Sequence, residues 1–231
     1  GAHLLDHPDF IFATGDDFAP FKIRPEATSP AQSVVPLLIK ARSQQTAEDV
    51  DLYMIYGCLF DEMHASWLAF FGSNLEVAKS QGRVCLTSPD PAATLAIDHG
   101  YFSDPGDLEA LCDGAELISQ LLSTAPLAAV LDPIPGKVPD WHGRDELRSL
   151  ICDRVETCYH PSGTCKMGPV TDPEAVVDNA GRVHGVAGLR VADASVFPTI
   201  PRANIHCTVV AVAEKLADSI RNDGALPHPS D

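Results

Sequence analysis

The stretch Leu189-Arg190-Val191-Ala192-Asp193-Ala194-Ser195-Val196-Phe197-Pro198 is typical of a strand that runs into a turn. Apolar residues then recur at helical spacing from His206 or Cys207 to Ile220, which predicts a helix directly after the turn. Ligands of open α/β sheets lie beyond the carboxyl ends of strands and near helix N-termini. This strand, turn and helix therefore indicate half of a dinucleotide-binding layout.

The other half of that layout does not occur in these 231 residues. No G-x-G-x-x-G motif follows an opening strand, and no acidic residue stands about 20 positions further on to hold a ribose. The glycines of residues 181–188 are spaced for turns around a short hairpin rather than for a phosphate cradle.

The first half of the chain contains short segments rich in β-branched and aromatic residues, which favours strands. These segments are residues 10–13, 33–39, 50–56, 67–71 and 83–87. Helical periodicity follows from Asp104-Pro105 to Leu121 and again over residues 144–155. We therefore predict an α+β fold, in which an antiparallel sheet is flanked by helices.

Composition limits the classes of partner. The net charge is −16, from 16 Lys and Arg against 32 Asp and Glu, and no basic patch is visible, which argues against binding to nucleic acid or to an anionic membrane. No apolar run approaches the about 20 residues needed to span a bilayer. The seven cysteines are odd in number and stand mostly in apolar stretches, which favours reduced thiols and a cytoplasmic location over a disulfide framework.

Two histidines near the C-terminus are candidates for chemistry. His160 lies in Cys158-Tyr159-His160-Pro161-Ser162-Gly163-Thr164, and His206 ends Pro201-Arg202-Ala203-Asn204-Ile205-His206. The strand and turn between them can bring two imidazoles to one strand end, where a neutral imidazole could take a proton from a substrate hydroxyl. A histidine in a Ser, Gly and Thr turn is, however, more often a structural residue than a base.

Other histidines and cysteines have simpler interpretations. His7 in a D-H-P turn and His184 in a turn-rich hairpin are expected to be structural. Cys158 and Cys165 bracket His160, but structural zinc usually shows closer cysteine pairs, so buried thiols are favoured and no metal site is predicted.

Taken in order, several segments resemble the C-terminal portion of the glucose-methanol-choline (GMC) oxidoreductases, flavoenzymes of the choline dehydrogenase and alcohol oxidase type. Gly1 to Pro8 resembles the family's G-x-x-L-x-D-H-P segment. The other matching segments are Ser80 to Leu86 with Asp90-Pro91, Tyr101 to Leu108, His160 to Gly168, Val177-Asp178, Val183 to Val186, Leu189 to Pro198 and Ala213 to Lys215. Each is modest alone, but together they cover nearly the whole sequence.

The resemblance implies an enzyme that oxidises an alcohol CH–OH group by proton abstraction and hydride transfer to N5 of FAD. His160 and His206 would be the catalytic pair, the second position being His in some members and Asn in others. The cofactor-binding residues would be Asp193, Ala194, Ser195, Asn204 and Ile205. Residues 1–155 would form the substrate-binding domain, entered through segment 1–8, and residues 156–231 the histidine loop and the returning strand and helix of a Rossmann-like FAD domain.

The resemblance also implies a partner, because the family's N-terminal flavin domain carries the missing glycine motif. That domain is expected either as a separate chain or as a lost part, and this chain is expected to be inactive without it. The chain departs from the commonest family pattern at two places around His206. Arg202-Ala203 stands where many members have a small residue and Gly, and Cys207-Thr208 stands where Ala-Pro is frequent. The alternatives are a non-redox member of the hydroxynitrile lyase type and an inactive fragment or subunit.

Overall fold

The protein is described by a computed structural model that covers residues 1–13, 19–27, 37–46, 50–62 and 65–223. Its strands and α-helices are β1 Ala2–Leu4, β2 Pro8–Ile11, β3 Phe21–Ile23, β4 Leu37–Ala41, β5 Leu52–Asp61, β6 Ser66–Leu75, β7 Gly82–Cys85, β8 Ala96–Asp98, α1 Pro105–Leu122, α2 Ala125–Ala128, β9 Leu131–Pro133, α3 Arg144–Arg154, β10 Glu156–Thr157 and α4 His206–Asp223. Of the strand predicted over residues 33–39, residues 33–36 lie outside the described residues.

The chain divides into two compact units. The first, here called the histidine unit, comprises Gly1–His7, Ser80–Ser103 and Tyr159–Asp231. The second, here called the sheet unit, comprises Pro8–Lys79 and Asp104–Cys158. This grouping differs from the predicted division between residues 155 and 156, because residues 1–7 and 80–103 cluster with the C-terminal part. The assignment of substrate-binding and FAD domains stays a prediction.

The sheet unit is built around β6. On one side β6 pairs with β5 along its length, from Leu52 opposite Leu75 to Asp61 opposite Ser66, and on the other side it pairs with β2 and then β3. All of these pairings are antiparallel, as are those of β4 with β5, β9 with β3 and β10 with β2. The prediction of an antiparallel sheet with flanking helices is confirmed. Cross-strand aromatic pairs such as Tyr56 and Phe71, with centroids 5.1 Å apart, add stability to this face.

Helix α1 begins where the sequence predicts. The Asp104 side chain accepts a 2.8 Å hydrogen bond from the Gly106 N–H, and Pro105 occupies the first turn, where its missing N–H costs nothing. Leu111, Ala115 and Ile118 of the predicted apolar stripe are buried. Helix α3 packs on α1, where Arg144 binds three acidic side chains. These are Glu109 at 3.1 Å, Asp113 at 2.6 Å and Glu116 at 2.9 Å.

The histidine unit contains an antiparallel sheet in the order β1, β7, β8, together with α4. Helix α4 starts at His206 as predicted and buries Leu216. The prediction of a strand from Leu189 is wrong: Arg190 forms only an isolated bridge with Arg182, and Ala194–Val196 forms a 3₁₀ turn. A strand needs a neighbouring ladder of backbone partners, and within the described residues this segment has only that one bridge.

Candidate active site

The loop that carries His160 is shaped by an unusual backbone conformation. Tyr159 has a φ of +61°, in the left-handed region that side chains other than glycine rarely adopt. Tyr159 is 82% exposed, whereas His160 next to it is only 7% exposed. The chain therefore turns sharply at the point where the imidazole enters the interior of the histidine unit.

The loop is held on two sides by backbone hydrogen bonds. Leu5 and Ser162 exchange N–H to carbonyl bonds of 2.9 Å in both directions. On the other side the N–H groups of Gly163, Cys165 and Met167 bond to carbonyls of the 3₁₀ turn, at 3.2, 2.8 and 2.9 Å from Ala194, Ser195 and Val196 respectively. The loop thus joins the N-terminal segment to the predicted flavin-contacting residues.

Gly163 is required for this close approach. Its φ is +81°, and a Cβ there would lie 2.7 Å from the His3 carbonyl oxygen and about as close to the Leu5 side chain, at 3.0 Å. Any larger residue would push the loop away from the N-terminal segment. The glycine of the H-P-S-G-T segment therefore fixes the position of the loop that carries His160.

Asp6 anchors the main chain of His160 through its carboxylate. Its side chain is 1% exposed, and its Oδ1 accepts the N–H of His7 at 2.9 Å and the N–H of His160 at 3.1 Å. Its Oδ2 accepts the hydroxyl of Tyr101 at 2.7 Å and lies 3.3 Å from Nδ1 of His99. A buried carboxylate with several donors is a rigid support.

The ring of His160 contacts two side chains. Its Nδ1 lies 2.9 Å from Nδ1 of His7, and the two rings meet edge to face at 88° with centroids 5.0 Å apart. Its Nε2 lies 3.4 Å from Nδ2 of Asn204. Burial lowers the pKa of His160 below its ordinary value of 6.5, and the negative charge of Asp6 partly opposes this. A neutral imidazole at neutral pH follows.

The other predicted site residues occupy the same unit but have different surroundings. Asp193 is exposed and its Oδ1 accepts the Ser195 N–H at 2.8 Å, so this carboxylate caps the 3₁₀ turn that contains Ala194. Ile205 is buried in an apolar cluster with Val177, Val196 and Phe197, so its side chain serves the core. His206 is exposed at the first residue of α4. Asn204, not His206, provides the contact to Nε2 of His160.

Sequence reasoning missed three residues around His160. His7 was expected to be a structural turn residue, yet it is fully buried against the His160 ring. Asp6 and Tyr101 were not singled out at all. A signal was present, because Asp6 and His7 lie in the D-H-P segment and Tyr101 opens another of the segments that carry the family resemblance.

The remaining candidates are unremarkable in their surroundings. Nε2 of His184 lies 3.1 Å from the Gly168 carbonyl oxygen. Cys158 and Cys165 are half-buried. Among the described residues, no group of three or more His, Cys, Asp or Glu side chains is arranged to hold a metal ion.

In the described part of the chain, no helix combines the length and apolar character that crossing a membrane requires.

The arrangement around His160 suits proton transfer. A buried neutral imidazole, anchored through its main chain and contacted at both ring nitrogens, can accept one proton at Nε2 and remain in place. The nearby carboxylate of Asp6 then stabilises the cation that forms. The same features are found in general bases of many enzymes, so they indicate proton transfer and no particular reaction.

Comparison with known proteins identifies the family. The family model for GMC oxidoreductase matches residues 78–213. Two oxygen-dependent choline dehydrogenases are similar: one from Chromohalobacter salexigens is 38% identical over 148 residues, and one from Paraburkholderia xenovorans is 42% identical over 151 residues. Each alignment covers 64% of this chain and 26% of the relative.

The fold is shared with a solved structure, that of pyridoxine 4-oxidase from Mesorbium loti. It matches with a TM-score of 0.73 at 24% identity, covering 99% of this chain and 44% of that chain. The chain thus spans about a quarter of the length of the curated relatives and less than half of the oxidase. Since the family model matches more than half of its residues, the chain belongs to the GMC oxidoreductase family.

Proposed function

We propose that this chain is the C-terminal part of an FAD-dependent enzyme that oxidises a small alcohol to a carbonyl compound. The single observation that supports this most is the buried imidazole of His160, whose pKa is lowered by burial. Such a base is neutral at physiological pH and ready to accept a hydroxyl proton. Membership of a family of oxidoreductases supplies the reaction type.

The residues present fit FAD at two places. The backbone of Asp193, Ala194 and Ser195 lies beside the His160 loop, and Asp193 is exposed there. The first turn of α4 begins just after Asn204 and Ile205 and contains no acidic residue, so its N–H groups can face negative charge. These residues would hold the flavin ring near the His160 loop.

In the proposed mechanism the protein supplies acid–base chemistry and positioning. When bound, FAD supplies the hydride acceptor. Nε2 of His160 accepts the substrate hydroxyl proton, so that the O–H bond breaks and a ring N–H bond forms. The resulting oxygen anion is a far better hydride donor than the alcohol. His206 hydrogen-bonds the same substrate oxygen, and Asp6 stabilises the protonated ring of His160.

The roles of the two domains, the location and the substrate class belong to the same proposal. Residues 1–155 bind the substrate, and residues 156–231 carry the histidine loop and return to an N-terminal FAD domain or chain, without which activity is absent. The cysteine content supports a cytoplasmic location. The substrate is a small-molecule alcohol rather than a nucleic acid or lipid surface, in keeping with the net charge of −16.

The test is anaerobic reduction of the flavin by a panel of alcohols, measured by stopped-flow absorbance on the full-length, FAD-loaded protein. We expect His160→Ala to slow flavin reduction by about 10²-fold to 10⁴-fold, the range typical of a lost general base. The matched control is His184→Ala, which removes a half-buried histidine of the same unit that bonds to Gly168. That control should keep the wild-type rate within about threefold.

Three outcomes would contradict the proposal. A protein that binds FAD but whose flavin no alcohol reduces would point to the non-redox type. A protein that binds no FAD even when full-length would point to a non-catalytic subunit. An unchanged reduction rate in His160→Ala would remove this residue from the reaction.

A further inference from the structure

We propose that His7 is a positioning residue that fixes the tautomer of His160 and so keeps Nε2 as the basic nitrogen. This inference rests on the proposed function, because it concerns how the proposed base is held ready. The two rings meet through the same ring atom, since Nδ1 of His7 and Nδ1 of His160 lie 2.9 Å apart.

Two like ring nitrogens at that distance can share only one hydrogen if both rings are neutral. Either His160 donates from Nδ1 and keeps a lone pair on Nε2, or His7 donates and His160 carries its hydrogen on Nε2. Only the first arrangement leaves His160 able to accept a proton at Nε2. The choice between the two tautomers therefore decides whether this ring can act as a base there.

Asn204 and His7 select the first arrangement together, since one side chain calls for a lone pair on Nε2 and the other accepts the hydrogen on Nδ1. Its Nδ2, which can donate but not accept, lies 3.4 Å from Nε2 of His160. With the amide in this orientation Nε2 offers a lone pair, so the hydrogen of His160 is on Nδ1 and is donated to Nδ1 of His7. His7 in turn carries its own hydrogen on Nε2. The substrate hydroxyl would take the place of Asn204 at Nε2 of His160.

His7 is held firmly enough to impose this choice. It is fully buried, and its own N–H donates to Oδ1 of Asp6 at 2.9 Å. The same oxygen accepts the N–H of His160 at 3.1 Å, so one carboxylate fixes the main chain of both histidines. Substrate deprotonation would also strengthen the contact, because a protonated His160 is a stronger Nδ1–H donor and Nδ1 of His7 still accepts.

The first measurement needs no variant. The full-length, FAD-loaded protein is labelled with ¹⁵N in its histidine rings and studied by NMR near pH 8. We expect His160 to show the Nδ1–H tautomer and a coupling across the hydrogen bond between the two Nδ1 nuclei. A neutral His160 with its hydrogen on Nε2 would overturn the proposal.

The variants separate positioning from packing. His7→Leu removes the acceptor, whereas His7→Asn places an amide oxygen close to the position of Nδ1. We expect His7→Leu to shift His160 towards the Nε2–H tautomer and to slow flavin reduction by about 10-fold to 100-fold, with the substrate dissociation constant nearly unchanged. We expect His7→Asn to keep the Nδ1–H tautomer and to recover most of the rate.

His184→Leu should leave both the His160 tautomer and the reduction rate as in the wild type. A His7→Leu protein in which His160 keeps the Nδ1–H tautomer would refute the role of His7. If the wild type is not reduced by any alcohol, the proposed function fails, but the ring nitrogens still report whether His7 sets the tautomer.

Discussion

The carboxylate of Asp6 binds the main chain of His160, with Oδ1 accepting the His160 N–H at 3.1 Å. Burial lowers the pKa of the His160 ring, and the charge of Asp6 opposes that effect by raising it. We expect Asp6→Asn to lower the pKa of His160 further, because burial remains and the charge is gone. The measurement is an NMR titration of the His160 ring. Asp178→Asn, a change in the same unit, should leave the titration as it is, and an unchanged or raised pKa in Asp6→Asn would contradict this account.

The lowered pKa of His160 also predicts a pH profile for flavin reduction. The active form is the neutral ring, so the rate should rise with pH while His160 loses its proton and become flat above its ordinary pKa of 6.5. Stopped-flow reduction between about pH 5 and about pH 9 measures this. A rate that still climbs steeply through the alkaline range would assign the proton to a different group.

His206 should tolerate a change that His160 does not. The family resemblance places His or Asn at this position, and either side chain can hydrogen-bond a substrate oxygen from the start of α4. We expect His206→Asn to keep flavin reduction within about tenfold of wild type, and His206→Ala to lose more than that. Equal losses in the two variants would mean that His206 acts as an acid or base rather than as a hydrogen-bonding group.

Gly114 marks a close approach of α1 to the sheet. A Cβ at this position would lie 2.2 Å from Oγ and 3.0 Å from Cβ of Ser73 in β6. We expect Gly114→Ala to reduce the free energy of unfolding by about 1–3 kcal/mol through overpacking, although Ala favours a helix by about 1 kcal/mol. Denaturant unfolding measures the loss. In a double-mutant cycle, Ser73→Gly should recover part of it, and additive effects would mean that the two residues do not collide.

Asp9 in β2 predicts a pH-dependent stability. Its Oδ1 has no hydrogen-bond partner among the described residues, and burial together with the charge of Glu156 raises its pKa from 3.8 to about 7. Between these two values the folded protein keeps a proton that the unfolded chain has lost, so stability falls as pH rises through this window.

The Asp9→Asn variant tests this sign. It replaces the carboxyl by a neutral group, so above about pH 7 we expect it to be more stable than wild type by on the order of 1–3 kcal/mol. At about pH 4 most of the advantage should disappear, because the carboxyl is then protonated in the folded protein and partly protonated in the unfolded chain. Thermal unfolding at the two pH values measures the difference, and an equal gain at both would rule out titration of Asp9 as its cause.

Local sequence patterns were enough for much of the fold. The period of apolar residues and the Asp104-Pro105 cap predicted α1, and the same kind of period predicted α4, because these signals act within a few turns of chain. The prediction of a strand from Leu189 was wrong for the opposite reason. A strand is completed by partners that lie elsewhere in the chain, and only the bridge of Arg190 with Arg182 is found in the described residues.

The sequence by itself determined the residue types and order that identify the family, and it singled out His160 as the candidate base. Only the tertiary structure brought His7 to within 2.9 Å of His160, across 153 positions of sequence. Burial and neighbouring charge set the pKa of the imidazole, and both depend on packing between distant segments. Short-range patterns fix backbone conformation, but they do not indicate which distant side chains will contact each other in the interior.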